Sequence, residues 1–456
     1  MNSETTVGVL LDQIPIGRFH RRLLLIVGSA WAFAAMEIIL ISFALPKLLE
    51  TWSLSGLQAG FLGSASLIGM VIGSWVGGWH ADRVGRIRAF QATVLTYSLG
   101  TGITALAIGF PSAILCRILT GIGVGGTATV GTAYLSEHLP TNRRGRYLAY
   151  LDAFWAIGTI IAVIISWVFL IKVTQPLNVI TGIDSWRLLF LFAAIPIGLL
   201  FFVRSLGETP YYLVEQGQEN MARQRLRWIA QANGVTLESN MGPLTTPDSE
   251  TEAGFHRLFQ PDLLRRTLTI SLAWFGLNFG YYGVFIWLPQ TIGAADIVGG
   301  IYMYLFLVAI MQIPGYLSAA YLVDTIGRRT TLAIYLGFSG IFTFFFASAM
   351  PDVSFSVVTG FWPFLIGLLA ASFFSLGSFG AIRAYTPELF PTEVRATGAG
   401  FTEGTGRIAG IFGPVVAGFF VQFGYFVALT PLAIAFTAAG IVVFAFGVKT
   451  HGHTLY

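Results

Sequence analysis

Apolar runs long enough to cross a bilayer recur along the whole chain, each closed by a polar or glycine-rich break. They lie near 23–46, 56–79, 89–109, 112–136, 147–171, 187–204, 266–289, 297–323, 330–349, 355–381, 397–421 and 425–448. A helix rising ~1.5 Å per residue needs about twenty such residues to span a ~30 Å hydrocarbon core. In oil the backbone must satisfy its own polar groups, which a helix does internally. The expected fold is therefore an all-α membrane protein with twelve transmembrane helices. Only 11% of the 456 residues are charged and 55% are apolar, against about a quarter charged in soluble domains. That excludes a soluble enzyme or a nucleic-acid binder, and the net charge of +4 sits in short loops, where it reports topology. Cys116 is the single cysteine, so no intrachain disulfide can form.

With the N-terminus inside, 21 of the 26 Lys and Arg fall on the inner side. Lys47, Lys172 and Arg187 fall outside, and Arg117 and Arg407 lie within spans. This asymmetry predicts cytoplasmic termini and a multi-pass protein of the cell membrane. The first 22 residues lack the pattern of a cleavable signal. A polar stretch divides the chain into an N-terminal six-helix bundle (1–204), a cytoplasmic linker (205–265) and a C-terminal six-helix bundle (266–456). Within the linker, 209–232 is expected to form an amphipathic helix and 236–254 a mobile segment.

The two halves repeat. Asp82, Gly85 and Arg86 return as Asp324, Gly327 and Arg328, at a constant offset of 242. YLSEHLPTNRR returns as YTPELFPTEVR at an offset of 251, with Tyr, Glu, Pro, Thr and the final Arg unchanged. A duplicated six-helix unit points to a secondary transporter. D-R-V-G-R and D-T-I-G-R-R, together with CRILTGIGVGG in span four, resemble signatures of the major facilitator superfamily. GETPYYLVEQG at 207–217 resembles the motif after span six in its sugar porters and organic-ion transporters. The resemblance implies two pseudo-symmetric six-helix bundles that rock around a central site.

Glu137 and Arg144 are seven apart, as are Glu388 and Arg395. Each pair should lie beside the Asp-x-x-Gly-Arg turn of its own half. Ion pairs among Asp82, Arg86, Glu137 and Arg144, and among Asp324, Arg328, Glu388 and Arg395, then form a cytoplasmic gate. Formed, they favour the outward-open state. The alternative is solvated pairs worth ~0–1 kcal/mol each.

Ionisable groups inside spans are costly and mark function. Glu37 and Arg117 fall at matching depths in the outer half of the membrane. Related proton-coupled porters place an acid of span one against the arginine of this span-four motif, so the resemblance implies proton coupling through Glu37 and Arg117. A static buried pair is the alternative. Arg407, near the midplane of span eleven, offers a planar fork to a carboxylate. It either binds substrate or pairs with Glu403, one turn away. Glu403 is the repeat partner of Asp152 and is a second proton-site candidate.

Span seven, LAWFGLNFGYYGVFIWLPQ, brings Trp274, Asn278, Tyr281 and Tyr282 to a candidate ring-binding cavity. Trp31 and Phe33 of span one, and Phe154 and Trp155 of span five, are expected to add to it. Trp287, near the outer end, is read as an interfacial or lipid-facing residue. W-F-x-x-N-x-x-Y-Y-G-V-x-x-W-L-P resembles span seven of the niacin transporter group and the synaptic vesicle glycoprotein 2 branch. The span-eleven GRIAGIFGP resembles that of the organic-anion transporters. Together these imply a proton-coupled symporter importing a small organic anion, an aromatic monocarboxylate such as nicotinate. A sugar or polyol symporter and a non-transporting membrane binding protein are the alternatives. The amides that grip a sugar's hydroxyls in sugar porters are missing here, which counts against hexose. No phosphate-binding loop, metal-ligand spacing or cofactor motif occurs. The expected partners are the anion, protons and the bilayer, with no nucleic acid, and the expected state is a monomer.

Overall fold

The computed structural model describes residues 5–172, 183–237, 242–245, 255–295, 300–350 and 360–449. The first half contains Arg18–Trp52, Gly56–Val84, Arg86–Thr104, Phe110–Ser136 and Thr141–Trp167, then Ser185–Ala193 continued by Leu199–Val203. These are spans one to six. Span six is interrupted by a 3-10 turn, Ile195–Gly198, where Pro196 removes a backbone donor. Spans seven to twelve are Pro261–Ala294, Ile301–Thr325, Arg328–Ser348, Phe361–Tyr385, Arg395–Phe420 and Tyr425–Phe446. Several helices overrun the apolar windows read from sequence. Span seven starts at Pro261, not 266, and span ten continues to Tyr385, not 381. The expected start of span ten, 355–359, lies outside the described residues.

Ten of the described helices are long and apolar enough to cross a membrane. Spans three and seven fall short of that measure, and span three buries hydroxyls. Ser98 and Thr104 donate to the carbonyls of Val94 and Gly100, each at 2.8 Å. Large apolar side chains such as Trp75, Phe201 and Phe444 are exposed, a surface only lipid would cover.

Packing follows the repeat. Span one packs on five, two on four and three on six; seven packs on eleven, eight on ten and nine on twelve. Glycines set the closest approaches. A methyl group at Gly121 or Gly125 of span four would strike the backbone of Ser66 or Met70 in span two. Across the halves, span two meets eleven, five meets eight and one meets seven.

That seam is closed at the face away from the chain termini. There a Cβ on Gly60 would lie 2.6 Å from the Pro414 carbonyl oxygen. The Ser64 hydroxyl donates to the Ile411 carbonyl at 2.7 Å, and Phe43 stacks on Tyr302 with centroids 6.2 Å apart.

At the opposite, basic face the Asp-x-x-Gly-Arg turn needs its glycine. Gly85 has φ +100°, and the Glu208 carboxylate occupies the space a Cβ would fill. Glu208 accepts from the Arg86 and Ile87 amides at 3.0 and 3.2 Å, capping the start of span three. Burial raises its pKa, and the Thr209, Ile87 and Arg86 amides offset only part of that rise. The repeat glycine, Gly327, has φ +91°.

The linker holds two helices where one was expected, Pro210–Glu215 and Glu219–Ala232, separated at Gly217 with φ +70°. The second docks through Asn233, whose Oδ1 accepts from the Phe19 amide at 3.2 Å. Most of the expected mobile segment 236–254 lies outside the described residues. Its Leu244–Thr245 pairs in parallel with Thr5–Thr6.

Candidate functional site

Spans one, two, five, seven, eight, ten and eleven converge on a cavity between the two halves. Trp31, Trp155, Trp274, Asn278, Tyr281, Tyr282 and Arg407, the residues expected to bind substrate, all line it. The rings are fixed by their own polar edges. The Trp155 indole donates to the Tyr281 hydroxyl at 3.1 Å, and the Trp274 indole to the Thr386 hydroxyl at 3.0 Å. Trp31 and Trp155 sit with centroids 5.3 Å apart, and Tyr281 meets Phe379 edge-on at 5.2 Å. The Asn278 amide donates to the Trp274 carbonyl at 3.0 Å. Span eleven approaches span seven through Gly406, which faces Trp274 and Asn278, and Gly410, which faces the Tyr282 ring.

Arg407 makes the pair that was weighed against substrate contact. Its Nη2 donates to Glu403 at 2.9 Å, and its Nη1 donates to the Ser74 hydroxyl of span two. Two further charges enter the cavity. Asp152 of span five accepts from Arg383 of span ten at 2.6 Å. The apolar window of span ten ends at 381, which would leave Arg383 in a basic loop. The helix in fact runs on to Tyr385, placing Arg383 four residues after Phe379 and seven after Leu376, on the same cavity-facing stripe. That spacing was the available signal. Tyr316, two residues past Pro314 in span eight, also lines the cavity and was missed.

Three aromatic expectations need correction. Phe33 and Phe154 do not line the cavity, and Phe154 packs its ring against Gly28. Trp287 is not interfacial. It is buried against span eleven, its indole donating to the Pro414 carbonyl at 3.0 Å and its ring packing beside Gly418.

Glu37 and Arg117 are neighbours but not a carboxylate–guanidinium pair. Both are fully buried outside the cavity lining. Arg117 Nη2 donates to the Glu37 backbone carbonyl, while the Glu37 carboxyl accepts from the Thr101 hydroxyl at 2.5 Å. One Glu37 oxygen and two Arg117 nitrogens have no partner among the described residues.

Of the expected gate, the structure forms Arg86–Glu137 at 3.1 Å with Asp82 at 3.2 Å from Arg86. The duplicate forms Arg328–Glu388 at 2.9 Å with Asp324 at 3.6 Å. Arg144 makes no ion pair among the described residues. The linker places Tyr211 beside it, and the buried Arg144 Nε has no hydrogen-bond partner among the described residues. Arg395 donates to the Phe390 carbonyl at 3.4 Å. Each ion pair lies inside one half, and all are formed while the far-face seam is shut. Their presence therefore does not by itself mark an outward-open state. Thr209 adds a linker contact, its hydroxyl donating to Glu137 at 2.6 Å.

Comparison with known proteins agrees with this architecture. Residues 49–456 match the profile of the family described as sugar (and other) transporter. The niacin transporter NiaP of Acinetobacter baylyi is 32% identical over 450 residues, covering 98% of both chains. A putative niacin/nicotinamide transporter of Bacillus subtilis is 32% identical over 410 residues, covering 89% of both. The inward-open xylose transporter XylE of E. coli superposes with a TM-score of 0.74 over 96% of this chain and 98% of that one, at 18% identity.

Proposed function

The chain belongs to the sugar (and other) transporter family of the major facilitator superfamily, and we propose that it imports a small organic anion by proton-coupled symport. The substrate class is an aromatic monocarboxylate such as nicotinate. The observation that carries this reading is the cavity itself, where flat rings surround two guanidinium groups, Arg383 and Arg407. A planar acid stacks on such rings and docks its carboxylate on such a fork. Asn278 is the one side-chain amide in the lining, and it is turned to its own backbone, which leaves little for a hydroxyl-rich sugar. The relatives named as niacin transporters support the same class.

Alternating access follows from the seam. The halves 1–204 and 266–456 rock about the cavity, with 205–265 as a cytoplasmic linker and both termini inside. Glu37 is the coupling acid. It is already protonated when cargo loads and gives up that proton only for the empty return, with Arg117 stabilising the ionised form. Glu403 completes the coupling set through Arg407. The duplicated pairs Arg86–Glu137 and Arg328–Glu388, with Asp82, Arg144, Asp324 and Arg395, brace the cytoplasmic ends. The protein works as a monomer in the cell membrane and performs no enzymatic reaction.

The test is thermal unfolding of the purified protein with nicotinate, benzoate, xylose or glucose. A ligand at a hundredfold its Kd adds about 2.7 kcal/mol. Nicotinate and benzoate should stabilise wild type, and Arg407→Ala should lose the effect. Stabilisation by the sugars alone would overturn the reading.

A further inference from the structure

The cavity wall carries four formal charges, two acids (Asp152 and Glu403) and two bases (Arg383 and Arg407), so the empty site is balanced. The two pairs differ mechanically. Glu403 and Arg407 are four residues apart on span eleven, and their 2.9 Å contact survives any rigid movement of that helix. Asp152 and Arg383 join span five of the first half to span ten of the second. Their 2.6 Å contact has to part when the halves separate at this level.

Arg383 is also incompletely used. One arm holds Asp152, while its Nε–H is buried without a partner among the described residues. The charged and titratable groups that line the cavity with Asp152 are Arg383 of span ten, Glu403 and Arg407 of span eleven, Tyr316 of span eight, and Tyr281 and Tyr282 of span seven. Spans one and two contribute only Trp31 and Met70 to this lining.

A substrate carboxylate entering this balanced site would leave one negative charge in excess, which a poorly solvated cavity disfavours. We propose that the substrate carboxylate displaces Asp152 from Arg383 and that Asp152 takes up one proton as it lets go. The inference rests on the organic-anion reading above. The step balances. A proton from solvent forms an O–H bond on the Asp152 carboxylate, and no other covalent bond changes. Arg383 exchanges one carboxylate partner for another, and the site stays neutral before and after. Loading, protonation and release of the cross-half tie thereby become one event, and discharge of the anion returns both the proton and the tie.

The experiment is isothermal titration of the full-length protein with nicotinate and with benzoate between pH 5.5 and 8.5, in buffers of different ionisation heat. Wild type should take up one proton per carboxylate bound, with Kd weakening about tenfold per pH unit at the alkaline end. Asp152→Asn should bind with a flat pH profile and no proton uptake, and Asp152→Glu should restore both. Thermal unfolding checks that each variant is folded. If Asp152→Asn does not fold, Asp152→Glu alone decides, through a shift in the pH at which the slope begins. Proton uptake unchanged in Asp152→Asn, an onset unmoved in Asp152→Glu, or carboxylate binding without proton uptake in wild type, overturns this inference alone. Failure of both acids to bind wild type at any pH overturns the substrate reading together with it.

Discussion

Trp155 and Tyr281 are joined by a 3.1 Å hydrogen bond that crosses from one half of the chain to the other, in the wall of the cavity. The same tyrosine ring packs on Phe285 and Phe379. Tyr281→Phe keeps the ring and strands a buried indole N–H, at a cost of about 1–3 kcal/mol to this arrangement. Uptake assays should show a several-fold change in KM. Tyr281→Ala removes the stacking face too, and kcat/KM should fall by more than about tenfold. Wild-type kinetics in both variants would remove Tyr281 from the binding wall.

Glu37 sits in a sealed pocket against Thr101, with Arg117 on its backbone carbonyl. Glutamine imitates the protonated acid. In proteoliposomes Glu37→Gln should lose accumulation against a gradient yet retain counterflow exchange, since only the empty return needs the ionised form. Undiminished accumulation would show that coupling lies elsewhere.

Gly60 packs on Pro414 where the far-face seam is shut, and a Cβ there would lie 2.6 Å from the proline carbonyl oxygen. Gly60→Val should hold the seam apart. Transport is expected to drop at least about tenfold while the protein remains folded. Cysteines introduced along the seam should become reactive to impermeant thiol reagents, and an unreactive seam with normal transport contradicts the assignment.

His138, in the turn between spans four and five, is fully buried. Desolvation, reinforced by nearby Arg225, pushes its pKa down to about 3. In the unfolded chain it titrates near the ordinary histidine value, so the unfolded state binds the extra proton between those two limits. Stability should be full above about pH 6.5 and fall as pH drops toward 3. Melting curves across that window should flatten in a folded His138→Gln variant. A slope identical to wild type would assign the acid sensitivity to other groups.

The twelve helices, their order and most of the aromatic lining were legible because periodicity and apolar length are local properties. The Asp-x-x-Gly-Arg duplication likewise announced two equivalent turns. What the residues hid was depth and partner choice. Arg383 looked like a loop cation because hydropathy ends before the helix does. Trp287 looked interfacial because sequence does not show which neighbours are small enough to bury it. Arg144 met a tyrosine from the linker rather than the carboxylate seven residues back, a contact between distant segments that no spacing encodes.

Spans two and four touch main chain to main chain at Gly69, Gly73, Gly121 and Gly125. A joint built without side chains has no rotamers to rearrange. The first half is therefore a stiff lever, and whatever bending the cycle demands is displaced to its edges and to the tether that follows it.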